Sequence, residues 1–176
     1  LPPTATSTLV PSSTPTLADT ATPTLTLTAT PLSQADIPFP AASASSINIY
    51  FVLLNAGSGA CGDRFIAVSS GSNKTGNIAR DVKTALQSLF SYHQKKYGSL
   101  YNALGTSRFH ANEVAFGDNG LIEVRLSGDF DRPTDACENT RVKSQIWATI
   151  KQFPEIKQTN IFLGKVPFGD LISNDG

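Results

Sequence analysis

Between Leu121 and Leu163 the chain sets an alternating strand beside an amphipathic helix, and each has an apolar side that needs covering. In LIEVRLS, Ile122, Val124 and Leu126 alternate with Glu123 and Arg125, the period of a strand with one apolar side and one wet side. In the helix that follows, Val142, Ile146, Ile150 and Phe153 recur at helical spacing, while Lys143, Gln145, Lys151 and Gln152 fall elsewhere. Strand and helix are therefore expected to bury each other, with Glu123 and Arg125 left on an open sheet face. The preceding GDNG predicts a tight turn, because Asn119 and Gly120 suit such turns, so a strand from Arg108 to Phe116 pairs with LIEVRLS as a hairpin.

The remaining elements follow from the same kind of reading. INIYFVLL, from Ile47, is apolar on both sides and predicts a well-covered strand, and RFIAVSS predicts a second. Asn77 is a natural cap for a helix whose stripe is Ile78, Val82, Ala85, Leu86, Leu89 and Phe90, with Gly98 expected to end it. Asp135 and Glu138 have the spacing of a capping box for the second helix, Pro154 ends it, and Gln158–Leu163 predicts the last strand. The expected fold class is α+β, ordered β-β-α-β-β-α-β, with a mixed or antiparallel sheet and two helices on one face.

Ahead of this domain the composition changes near Ser46. Residues 1 to 32 form four octads, LPPTATST, LVPSSTPT, LADTATPT and LTLTATPL, with Leu opening each at 1, 9, 17 and 25. Proline removes backbone donors and threonine disfavours helix, so residues 1–46 are expected to be a disordered, extended Thr/Pro/Ser-rich stalk, leaving 47–176 as the folded domain. Forty residues of polyproline-like chain could reach roughly 120 Å. Such tracts suit O-glycosylation as well as plain linkers, and Asn73 opens an N-glycosylation sequon.

All 14 Lys and Arg lie from Arg64 onward, against 12 of the 14 Asp and Glu once Asp19 and Asp36 are set aside. Such a near-neutral domain has no phosphate-binding stripe, and nucleic acid is not expected as a partner. No apolar run approaches the roughly 20 residues that span a bilayer. Cys61 and Cys137 lack metal-ligand spacing; a disulfide suits an extracytoplasmic protein and free thiols a reducing cytosol, and we expect the disulfide.

No residue set has the spacing of a catalytic or metal centre. His93 and His110 have no nucleophile motif beside them, and Asp129, Asp131 and Asp135 in DFDRPTD miss the glycine and glutamate of a calcium loop. Glu113, Glu123 and Asp129 show no sign of the apolar pocket that a glycosidase acid needs, and NAGSGACGD lacks the ending of a phosphate-binding loop. The expectation is no enzyme and no cofactor, with Glu123 and Arg125 as a partner-binding sheet face.

From Ile47 to about Gly164 the chain resembles the GerM-type domain, the sporulation and spore germination domain of bacterial envelope proteins. The likeness rests on INIYFVL, ALQSLF, EVAFGDNGLIEVRLSGDF and SQIWATIKQFPEIKQTNIFLG. The resemblance implies a small non-enzymatic module outside the cytoplasmic membrane, often in a lipoprotein and sometimes joined to peptidoglycan amidase domains. In spore formers such modules support assembly of a transenvelope complex. This chain differs in carrying one copy where the namesake has two, and in its cysteine pair. The resemblance leads us to expect an envelope protein or cell-wall component as partner and an extracytoplasmic location, with a membrane link only through a lipoprotein anchor upstream of this chain. A cell-wall hydrolase, or an accessory domain of a peptidoglycan amidase, is the alternative.

Overall fold

A computed structural model describes residues 36–57 and 61–172; the octad repeat, and with it most of the expected stalk, lies outside them. Two strands, β1 (Ser46–Leu53) and β2 (Arg64–Asn73), are followed by α1 (Ile78–Phe90) and a short hairpin of β3 (Lys96–Tyr97) and β4 (Leu100–Tyr101). Then come β5 (Arg108–Phe116), β6 (Leu121–Asp129), α2 (Ala136–Lys151), β7 (Gln158–Leu163), β8 (Val166–Pro167) and α3 (Phe168–Ile172). The fold is α+β, and the seven expected elements occur in the expected order, joined by β3, β4, β8 and α3.

The strands divide into two four-stranded sheets, β2-β1-β4-β3 and β5-β6-β7-β8, where the sequence suggests one. The first is antiparallel throughout; in the second, β6 pairs antiparallel with β5 and parallel with β7. The division has a physical cause. Along β1 only Val52 pairs with β4, and at Asn48 and Tyr50 that edge is held by side chains of α2 and its C-cap. Gln152 accepts from Asn48 N at 2.8 Å and returns its amide to Asn48 O at 2.6 Å, while Thr149 Oγ1 accepts from Tyr50 N at 3.3 Å. A covered edge cannot recruit another strand.

One apolar cluster joins the two sheets. α1 packs on β1 and β2 of the first and on β5 of the second, and α2 packs on β1 and α1. Ile122, Val124 and Leu126 of β6 and Val142, Ile146 and Ile150 of α2 all lie buried in that cluster, on the sides the periodicity predicts. The β5–β6 turn needs its glycine: Gly120 has φ of +79°, and a Cβ there would stand 2.8 Å from Glu155 O.

Two boundaries differ from expectation. Helix α1 ends at Phe90, not at Gly98; Tyr92 and Tyr97 turn instead into a ring cluster with Phe39 and Phe51, and Gly98, at φ +60°, sits in the β3–β4 turn. Residues 36–45, which the sequence assigns to the stalk, pack on the domain. Phe39 stacks on Phe51 with centroids 4.8 Å apart, Ala41 bridges Val68, and Pro40 O accepts from Ser69 N at 3.0 Å. A single aromatic inside a proline-rich run gives no period to read.

Cys61 and Cys137 are joined, with Cα atoms 5.7 Å apart across 76 residues of sequence. Closing such a loop restricts the unfolded chain by roughly 4–5 kcal/mol in the entropic description. Replacing both cysteines by alanine is therefore expected to lower the unfolding free energy in urea by up to that amount. Phe39→Ala should cost about 1–3 kcal/mol in the same titration, and an unchanged midpoint would place Phe39 outside the cooperative unit.

Candidate interaction surfaces

The disulfide is one part of a polar corner between the loop after β1 and the first turns of α2. Asp135 caps the helix, accepting from Glu138 N at 2.9 Å. Glu138 does not complete the box: its carboxylate accepts from Tyr101 Oη and from Arg141 Nη1, both at 2.7 Å. Arg141 also reaches Asp63 at 2.6 Å, its side chain only 17% exposed and that of Asp63 8%. Burial, then the hydrogen bond to Glu138, pushes the Tyr101 phenol well above its ordinary value of 10.0. Within the glycine-rich loop Gly57 lies against the backbone of Asp63, where a Cβ would collide with the Asp63 carbonyl, so this glycine serves close packing.

The polar stripe of α2 continues past this corner. Gln145, fully buried, accepts from Ala103 N at 2.9 Å and donates to Asn102 Oδ1 at 3.0 Å. Asp81, also buried, accepts from Thr75 N, Thr75 Oγ1 and Gly76 N and so folds the loop entering α1. Neither residue stands out in the sequence; glutamine and aspartate on helices are ordinarily wet.

The two histidines, distant in sequence, line one cleft of about 370 Å³ together with Arg108, Gln87, Ser91, Phe90 and Phe109. Ser91 Oγ donates to Ser88 O at 2.7 Å, and Arg108 donates to Ser107 O at 3.0 Å. The serine is thus spent on the helix end. The three aspartates of DFDRPTD have separate places: Asp129 closes β6 opposite Arg108, the Asp131 N–H donates to Ser107 Oγ, and Asp135 caps α2. Among the described residues no three His, Cys, Asp or Glu side chains group as a metal site.

Glu123 and Arg125 stand on the open face of the second sheet, as the alternation predicts. Arg125 meets Glu123 at 2.6 Å and Glu113 of β5 at 3.7 Å, and its guanidinium lies 5.4 Å from the Phe162 ring centroid on β7. Cross-strand register brings them together, since Arg125 pairs with Glu113 on one side and Phe162 on the other. Pairs this exposed contribute roughly 0–1 kcal/mol each.

A second surface lies at the far edge of that sheet. A cleft of about 330 Å³ runs beside β7, walled by Lys143 and Trp147 of α2 and by Phe168 and Ile172 of α3. Trp147, at 39%, and Val166, at 44%, are the most exposed large apolar side chains of the described residues. The Thr159 hydroxyl beside the cleft is out of solvent contact and has no hydrogen-bond partner among the described residues. No helix among the described residues is long and apolar enough to cross a membrane. Comparison with protein-family models, with curated proteins and with solved structures found no match.

The phenol makes the polar corner testable. Its raised value means that the protonated form is favoured by folding. The stability this contributes is complete below pH 10 and is lost as pH climbs through the raised value. In a spectrophotometric titration Tyr101 should ionise above pH 10, and Glu138→Gln should bring that step down; an unmoved step would remove Glu138 as a cause.

Proposed function

We propose that this chain is a non-enzymatic binding or scaffold module of the bacterial cell envelope, GerM-like, that works outside the cytoplasm through contacts with an envelope protein or a cell-wall component. The observation that carries the reading is the open face of the second sheet, where Glu113, Glu123, Arg125 and Phe162 combine both charges with an aromatic ring on a rigid ladder. Binding needs such a surface and no more. The Cys61–Cys137 disulfide fits an oxidising, extracytoplasmic compartment. A lipoprotein anchor and a Thr/Pro stalk would hold the module clear of the membrane.

One observation favours the alternative, a cell-wall hydrolase or amidase accessory domain: His93 and His110 share a cleft with Arg108. A general base needs a positioned reactive partner as well as an imidazole, and the one serine lining this cleft donates to a helix carbonyl.

Crosslinking capture from the native envelope tests the two readings together. Arg125→Glu, which places a third carboxylate beside Glu113 and Glu123, should reduce capture several-fold while lowering stability by no more than about 1 kcal/mol. His93→Ala, His110→Ala, Asp129→Asn and Asp131→Asn should leave capture unchanged. Peptidoglycan turnover by the purified protein, abolished by any of these four, would overturn the non-enzymatic reading, and loss in His93→Ala or His110→Ala would transfer the function to the histidine cleft.

A further inference from the structure

The outer edge of β7 is a partly unpaired strand. β8 reaches only Phe162 and Leu163, and no described strand pairs with Gln158–Ile161 on the side away from β6. The direction of the free groups follows from the ladder. Gly164 N–H donates to Leu126 O of β6, and alternate residues of a strand turn their amides to opposite edges, so those of Thr159 and Ile161 turn towards the cleft. An edge of this kind is a template for another extended chain. Natural proteins commonly blunt such edges with proline, bulges or a covering helix; here α2 and α3, which touch each other, leave beside it a cleft of about 330 Å³, within the range of ligand-sized clefts.

The lining selects what can enter. Among the described residues Lys143 is the charged side chain of the cleft, and no carboxylate lines it. Its ammonium sits 5.0 Å from the Trp147 ring centroid and makes no ion pair with a described residue. The same two residues continue into a shallower groove with Phe65, Ala148 and Lys151, again without a carboxylate among the described residues. Opposite them, Phe168 and Ile172 offer an apolar wall. A strand side chain facing that wall should be aliphatic, and one facing Lys143 should carry a carboxylate.

We infer that the β7 edge is a strand-addition site for an extended peptide segment of a partner protein, one that alternates aliphatic and acidic residues. The inference rests on the reading of the chain as a binding module and gives that module a second surface, which adjoins the open sheet face at Phe162.

Fluorescein-labelled synthetic heptapeptides test it, with valine at alternate positions and aspartate, serine or lysine between. A fourth carries aspartate and is N-methylated at alternate amides. The acidic peptide should bind most tightly, its affinity read by fluorescence polarisation, and should move the amide NMR signals of Thr159 and Ile161. Lys143→Glu should weaken it roughly five- to twentyfold. Thr159→Pro removes an N–H that faces away from β6, a place where an edge strand tolerates proline, and should weaken it roughly tenfold, as should N-methylation. Equal binding by the acidic, neutral and basic peptides would overturn the assignment. So would no binding up to about 1 mM, signal shifts confined to the Glu123–Arg125 face, or the same Thr159 and Ile161 shifts appearing with protein concentration alone, which would make a second copy the occupant.

Failure here is separable from failure of the binding-module reading. Envelope capture lost in Arg125→Glu but intact in both Thr159→Pro and Lys143→Glu would leave that reading standing and remove the edge assignment. Capture intact in all three variants, with peptidoglycan turnover, would remove the reading itself.

Discussion

The arrangement depends on how α2 meets the edge of β1. A helix placed against a strand edge usually offers it only apolar cover, leaving backbone amides to find water. Here the side-chain amide of Gln152 does what a neighbouring strand would do, accepting from Asn48 N and donating to Asn48 O. Three residues earlier Thr149 takes Tyr50 N, and four before that Gln145 holds the backbone at Ala103. Leaving any of these buried donors without a partner would cost roughly 1–3 kcal/mol, more than the net gain from an ordinary hydrogen bond. The stripe thus keeps the two sheets apart and fixes where the connection between them crosses the helix.

Two adjoining stripes on one helix follow from this. Val142, Ile146, Ile150 and Phe153 are buried in the core, and Glu138, Arg141, Gln145, Thr149 and Gln152, each one position before or near them, face the first sheet and its loops. With so much of α2 committed, the second sheet keeps Glu113 and Arg125 of its outer face exposed, and β8 pairs with only Phe162 and Leu163 of its β7 edge. Which parts of the second sheet stay exposed follows from where the helix is already occupied.

Much of this was legible in the residues. The period of two in β6, the period of 3.6 in both helices and the Asn–Gly turn each announce themselves because a single physical demand, one buried side, repeats along the chain. The caps at Asn77 and Asp135 are legible for a related reason: only short polar side chains reach back to the first free amides of a helix. Gln145 and Gln152 were not legible. Their apolar periodicity is nil, and their value comes from groups 42 to 104 residues away in sequence. The end of α1 is not legible because Tyr92 and Tyr97 take ring partners, one of which, Phe39, lies in the proline-rich segment ahead of the domain. At the polar surfaces the alternation placed Glu123 and Arg125 correctly, but the gathering of His93 with His110, and of Lys143 with the β7 edge, arises only when distant elements dock.

The place where the chain enters the domain also decides how the domain would answer a pull. Tension arriving ahead of Asp36 is received first by the Phe39 ring stack and the Ala41–Val68 bridge, then by the β1–β2 ladder. Beyond that it reaches Cys61, whose bond to Cys137 short-circuits the 76-residue loop between them. While that bond is closed the loop can yield no contour length, so extension from the N-terminal side is limited to the residues before Cys61, and the load passes directly into α2 and the strands after it. The disulfide is therefore a stop on unravelling, set behind a short segment that can give way first.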